Sequence, residues 1–172
     1  LYYRDRSFVD MEVPLYPQEA RHTTTIRRQV RRSLDYLRHS IGRGSHGLLR
    51  LLASDGNDAL VAARGLWGHS RLARQGESTL SSGLAGVVLP RVAELCRWLG
   101  EKSWAKEVEE WAADNRRALL EAWNGRWFDR VLLPEGEPLG REQLFLDAQP
   151  WVVLAGAADE ARRTVLFQEI KS

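Results

Sequence analysis

The chain has 172 residues, with 25 Lys and Arg against 23 Asp and Glu; 44% of it is hydrophobic and 28% charged. That length and apolar share suit an ordinary globular domain and exclude a disordered chain, which could not offset its conformational entropy. The single Cys96 excludes a disulfide scaffold, and no apolar run approaches the ~20 residues that a membrane helix needs.

Residues 1–16 carry Arg4, Asp5, Arg6, Asp10 and Glu12 where a secretion signal has its apolar core. Because the chain begins at Leu1, without Met, it is expected to be a piece of a longer protein. The charge is unevenly spread. Residues 21–50 hold eight Arg (21, 27, 28, 31, 32, 38, 43 and 50) and one acid, Asp35, so this segment is +7 and the remainder −5. A basic helix of this kind can bind nucleic acid or be a solvated face. It lacks interleaved aromatics and no recognition motif follows, so no nucleic-acid partner is expected.

Helical periods dominate. Ile26, Val30, Leu34, Leu37 and Ile41 draw one apolar stripe, opened by an N-cap within Thr23 to Thr25 and closed by Gly42 and Gly44. From Gly42 to Gly76 the chain is rich in Gly and polar residues and shows no helical pattern. A connection of that length is unusual in a compact domain and is commonly functional. Leu80, Leu84, Val88, Val92, Leu95 and Leu99 then predict a second helix ending at Gly100, with a kink or break near Leu89 because of Pro90.

A third helix opens at Ser103, places Val108, Trp111, Asn115, Leu119 and Ala122 on one side, and ends by Gly125. Trp98, Trp104 and Trp111 fall on helical spacing and are expected between helices. Arg126 to Leu133 favours extended structure, followed by a turn over Pro134 to Pro138. Residues 144–156 are apolar almost throughout, as a buried helix or strand would be, and Asp159 to Ile170 reads as a further helix. The pattern is all-α: helical hairpins with long loops and one short extended segment. Bundles, solenoids and α/α toroids all fit it.

The chemistry-bearing residues concentrate in the long loop. Ser54-Asp55-Gly56-Asn57-Asp58 sets two carboxylates three residues apart with an amide between them. Calcium loops need further oxygen ligands and a distal Glu, and here Ala59 to Ala63 follow instead. The stretch can be a turn with Asx caps or a carboxylic acid at the mouth of a sugar site. The four His (22, 39, 46 and 69) show no ligand spacing, so no metal is expected. Gly42-Arg43-Gly44-Ser45-His46-Gly47 lacks the Lys and the preceding strand of a phosphate loop.

The stretch His46-Gly47-Leu48 through Asp55-Gly56-Asn57-Asp58 resembles the HGLxxxxxxDWND segment of glycoside hydrolase family 94. That family comprises cellobiose and chitobiose phosphorylases and the phosphorylase-like region of cyclic β-1,2-glucan synthases. Three further segments resemble family motifs in the same order. These are Gly76-Glu77-Ser78, then Trp123-Asn124-Gly125-Arg126-Trp127-Phe128-Asp129-Arg130 with Pro138-Leu139-Gly140 following, and Ala148-Gln149-Pro150-Trp151 running to Asp159. Ser7 to Pro14 is similar to the stretch before the family's helix. The matches span nearly the whole chain.

The resemblance implies that residues 1–172 are part of a single (α/α)6 barrel catalytic domain, incomplete at both ends. It implies inverting phosphorolysis of a β-linked glucoside or oligosaccharide, with inorganic phosphate as co-substrate and no cofactor. Asp58 stands at the general acid's position. An alkoxide leaves poorly, so a proton must arrive as the glycosidic bond breaks. Asp55, Asn57, Glu77, Gln149 and Trp151 stand as candidate sugar-binding residues. For four of them a structural reading stays open: an Asx cap for Asp55 and Asn57, a helix-start carboxylate for Glu77, and core packing for Trp151.

This sequence departs from the family at Gly56, where the family has Trp, and at Arg28-Gln29, where it usually has Glu-His. The first departure removes a large face beside Asp58. Hydrolysis by water, with Glu142 or a residue elsewhere as second carboxylate, and a non-catalytic helical interaction module are the alternatives. A cytoplasmic setting, no membrane partner and room for a homodimer complete the expectations.

Overall fold

The structure, a computed structural model, describes residues 5–15, 22–52 and 71–171. These fall into two compact units, Leu1–Gly42 and Arg43–Ser172.

In the first unit, Asp5 caps helix α1 (Arg6–Asp10), its carboxylate accepting from the Ser7 N–H at 2.8 Å. Strand β1 (Glu12–Pro14) pairs antiparallel with β2 (Thr23–Thr25), Val13 opposite Thr24. A run of three Thr suits an extended strand because branching at Cβ restricts χ1. Thr25 then caps helix α2 (Ile26–Asp35), its hydroxyl accepting from the Arg28 N–H at 3.2 Å. Arg27 grips Asp10 through two bonds of 2.9 Å and so ties α2 to α1. The chain continues as a π-helical turn, Tyr36–Ile41, and stops at Gly42, whose φ of 69° suits glycine. Leu34 and Ile41 of the predicted stripe are buried; Ile26, Val30 and Leu37 are half-buried.

The second unit contains helix α3 (Arg71–Gln75), strand β3 (Glu77–Ser78), α4 (Thr79–Leu99), α5 (Lys102–Glu121), strand β4 (Val131–Leu132), α6 (Gln149–Leu154) and α7 (Glu160–Lys171). Helices α4 and α5 form a hairpin, and α6 packs on α4. Gly100, φ 85°, turns the hairpin. Its N–H bonds the Arg97 carbonyl at 3.0 Å and the Glu101 N–H bonds that of Cys96 at 2.9 Å, the Schellman closure that satisfies the last carbonyls of a helix. The main core gathers Leu48, Leu119, Phe128, Leu132 and Val152, and a second cluster joins Leu51, Leu72, Ala73 and Val131.

Among the described residues the chain is mostly helical, as the periodicity predicts, with two small antiparallel strand pairs. On α5 the predicted face is the buried one: Trp104, Val108, Trp111, Asn115 and Leu119 are all inside. Trp98 is half-buried. Asn115 sits on this face because its Nδ2 donates to the Ser82 carbonyl at 2.8 Å, joining α5 to α4. Asp159 caps α7 by accepting from the Arg162 N–H at 2.8 Å. The turn after β4 is closed where Val131 pairs with Leu139.

Three expectations need correction. First, the predicted stripe of α4 is not its inner face. Leu84 and Val88 are 37% and 50% exposed, whereas Ser82, Gly83, Ala85, Gly86, Leu89, Ala93 and Cys96 are buried beside Val92. The reason is steric. A Cβ on Gly83 would lie 2.9 Å from Trp151 Cβ, and one on Gly86 would lie 2.6 Å from Ala155 Cβ. The close approach of α6 selects small residues, which a hydrophobicity pattern underweights. Second, of the kink or break expected near Leu89, the break is absent, and α4 continues through Pro90. Packing against α5 and α6 outweighs a local cost of about 3 kcal/mol. Third, the Gly42–Gly76 segment includes a short helix, α3, before Gly76.

Gly86→Ala is expected to destabilise the protein by about 1–3 kcal/mol through overpacking, although Ala is the better helix former by ~1 kcal/mol. Val88→Ala, on the exposed face, should stay within about 0.5 kcal/mol. Chemical denaturation of the two variants checks the pair.

Candidate functional site

The described part of the long loop is bound to β3 along its length. The Leu51 N–H donates to the Gly76 carbonyl at 2.7 Å, and the Ser78 N–H donates to the Leu49 carbonyl at 2.7 Å. The Leu49 N–H donates to Ser82 Oγ at 2.9 Å. Strand β3 pairs on its other side with β4, Glu77 opposite Leu132 and Ser78 opposite Val131. Gly76 makes this possible, since a Cβ there would strike the Leu72 carbonyl and come 2.8 Å from Val131 Cγ1. Ser78 then caps α4, accepting from the Ser81 N–H at 3.0 Å.

Glu77 is fully buried. Its carboxylate is wrapped by the loop Gly44–Leu48. Oε1 accepts from the His46 N–H at 3.0 Å and lies 2.8 Å from His46 Nδ1, with Ser45 Oγ at 3.3 Å. Oε2 accepts from the Leu48 N–H at 3.0 Å. A carboxylate can only accept, so this geometry assigns the His46 proton to Nδ1. The loop closes on itself through Gly44 N–H to the Leu48 carbonyl at 2.9 Å and Gly47 N–H to the Gly44 carbonyl at 3.1 Å. His46 also borders a cleft of about 320 Å³ lined by Arg43, Asp114, Arg117 and Glu121. There Asp114 pairs with both Arg43 and Arg117.

Gln149 opens α6 and is also buried. Its Oε1 accepts from the Phe128 N–H at 3.1 Å, and its Nε2 donates to the carbonyls of Phe128 at 2.8 Å and Phe145 at 3.0 Å. The side chain thus takes the place of a neighbouring strand for Phe128. Trp151 is half-buried, its Cβ against Gly83. The polar atoms of Glu77 and Gln149 are therefore occupied by backbone. Asp55, Asn57 and Asp58 lie outside the described residues.

Residues 126–130, just before β4, hold buried charged groups whose partners the motif alone does not give. Arg130 is fully buried, its Nε 3.0 Å from both oxygens of Asp147, and its backbone N–H donates to the Leu139 carbonyl at 2.7 Å. Gly140 permits that approach, because a Cβ would lie 2.7 Å from the Arg130 nitrogen. Trp127 is core, its indole N–H donating to the Gly140 carbonyl at 2.6 Å. Arg126 stacks over the Trp127 ring at 4.3 Å while pairing with Glu169. That pair raises the Arg126 pKa and lowers that of Glu169. The signal for Arg130 lay in the W-N-G-R-W-F-D-R run, but its partner is 17 residues away, and no local rule connects them.

Asp129 is buried, accepts from Asn124 Nδ2 at 2.7 Å, and pairs with Arg141 at 2.8 Å. Burial pushes its carboxyl pKa up, against the lowering pull of Asn124 and Arg141. Among the described residues no group of three or more His, Cys, Asp or Glu side chains converges as a metal site would require. No helix among them is long and apolar enough to cross a membrane.

Two predictions follow from this geometry. Gln149→Ala leaves the Phe128 N–H and carbonyl unpaired in the core, at about 1–3 kcal/mol for each buried group. The loss should appear as a lower denaturant midpoint. For Asp129, a folded pKa above the unfolded one means that the folded state binds the extra proton. Its ionised form therefore costs stability at neutral pH, and that cost is relieved as pH falls through the folded pKa. Asp129→Asn should remove this component from the pH dependence of unfolding, as measured by denaturation of both proteins from neutral into acid.

No curated protein matches the chain. A family model described as the glycosyl hydrolase 94 superfamily, catalytic domain, matches residues 4–172. The loop bound to β3, the Glu77 turn and the Gln149 clamp all lie within that match. The chain belongs to the glycosyl hydrolase 94 superfamily and carries the catalytic domain of a carbohydrate-active enzyme.

Proposed function

We propose that the chain is part of a single (α/α)6 barrel domain that cleaves a β-linked glucoside or oligosaccharide with inorganic phosphate, with inversion, giving a sugar 1-phosphate. The observation that carries the reading is the catalytic-domain match across residues 4–172. Leu84, Val88, Leu154 and Phe167 are each exposed apolar side chains on helices, which supports the barrel reading because neighbouring hairpins of a toroid would cover them.

In this mechanism Asp58 holds a proton against the glycosidic oxygen and delivers it as the bond to the anomeric carbon breaks. Phosphate attacks that carbon from the opposite side, so the chain supplies one catalytic carboxyl where an inverting hydrolase supplies two. Run backward, the same site builds the linkage. Asp55 and Asn57 receive and donate hydrogen bonds to sugar hydroxyls, and Trp151 offers a stacking face. Glu77 and Gln149 support the pocket from behind, because their polar atoms are already engaged. No cofactor takes part, and the setting is cytoplasmic.

The test uses a β-linked disaccharide with and without phosphate. Sugar 1-phosphate should form only when phosphate is present. Free sugar released at the same rate without it would assign the domain to hydrolysis, with Glu142, which is exposed, as a first place to seek the second carboxylate. Asp58→Asn should lower kcat on the disaccharide by about 10²–10⁴-fold; unchanged turnover would remove Asp58 from the mechanism.

A further inference from the structure

We propose that the cleft beside the Glu77 turn is a carbohydrate-binding site that takes one neutral sugar unit of an oligosaccharide. Sugar binding here is indifferent to whether phosphate or water cuts the glycosidic bond. The cleft has two walls from separate stretches of chain. One is a stripe of α5, where Asp114, Arg117, Ala118 and Glu121 stand at i, i+3, i+4 and i+7 on one side of the helix. The other is the loop that carries Arg43, His46 and Gly47.

Both walls are held without a ligand. The buried Glu77 carboxylate fixes the loop by accepting from the His46 and Leu48 N–H groups. Asp114 joins the walls, pairing with Arg43 at 3.6 Å and with Arg117 on its own helix. Loop and helix meet through small residues, since a Cβ on Gly47 would lie 3.2 Å from Ala118 Cβ. Groups fixed in advance lose less freedom when a ligand arrives.

The lining selects the ligand. Two guanidiniums and two carboxylates cancel in formal charge. A small anion would meet Glu121, which is exposed and makes no hydrogen bond or ion pair among the described residues. A cation would meet the two arginines. A sugar hydroxyl both donates and accepts, which suits a lining that offers both functions. Arg43 and Arg117 share the one Asp114 carboxylate, so N–H donors remain for a ligand, and Glu121 accepts. His46 adds an acceptor, because with the Nδ1 proton given to Glu77 the Nε2 of the neutral ring carries a lone pair. A volume of about 320 Å³ lies at the small end of ligand sites and holds a single ring rather than an extended chain.

The probe is a thio-linked β-glucan tetrasaccharide, which is not cleaved during a titration. It is added to millimolar concentration to the isotope-labelled full-length protein, and the His46 imidazole and the Gly47 and Ala118 amides are followed by NMR. These groups should shift saturably, and Glu121→Ala and Arg117→Ala should each weaken the affinity about tenfold. Both side chains are exposed, and an unchanged amide spectrum elsewhere verifies the fold of each variant. Inorganic phosphate at the same concentration should leave the three groups in place. No shift with the tetrasaccharide, or the same affinity in both variants as in the wild type, would overturn the proposal. A saturable shift with phosphate that Glu121→Ala strengthens would overturn it too, by making the cleft an anion site. Shifts that meet these expectations in a protein that forms no sugar 1-phosphate would keep the binding site and remove only the phosphorolysis.

Discussion

The second unit depends on one buried anion. The Glu77 carboxylate has no solvent to hydrate it, and burying an unsatisfied charge is among the most costly things a fold can do. The chain meets that demand with its own backbone, folding Gly44 to Leu48 around the two oxygens. Once that turn exists, the residues after it fall into register with β3, and β3 into register with β4. Electrostatic need at one side chain thus organises three separate stretches of sequence.

A second constraint is steric. The α4–α5 hairpin and α6 come together through Gly83, Gly86 and the small neighbours of these residues, with Asn115 bridging to Ser82. Close backbone approach raises the number of dispersion contacts and leaves no room for larger side chains. The large residues of α4, Leu84 and Val88, are consequently turned outward. Gln149, at the start of α6, extends the same unit by pairing with the Phe128 backbone, so that helix, strand and turn meet at one amide.

Family membership ties these features to carbohydrate chemistry. The side chains that the family resemblance marks as Glu77 and Gln149 turn out to spend their hydrogen-bonding capacity on the protein itself. A polar residue within a family motif need not touch substrate. It can hold the backbone from which substrate-facing groups project.

Much of the local structure was readable from residues alone. The Thr25 cap, the Gly100 closure, the buried face of α5 and the helix after Asp159 all follow from short-range rules, because capping and 3.6-residue periodicity depend on neighbours in sequence. The motifs, taken in order, also sufficed to point to the family. What only tertiary structure decided were the long-range pairings. They include Glu77 with a turn 31 residues away, Arg130 with Asp147, and the choice of the small-residue face of α4 as the inner one. The loop Gly44 to Leu48, which lacks the marks of a phosphate site, still cradles an anion, one supplied by its own chain. Sequence encodes which groups can donate, accept or fit closely. Their partners are set by where the packed chain brings them, and that distance cannot be read along a line.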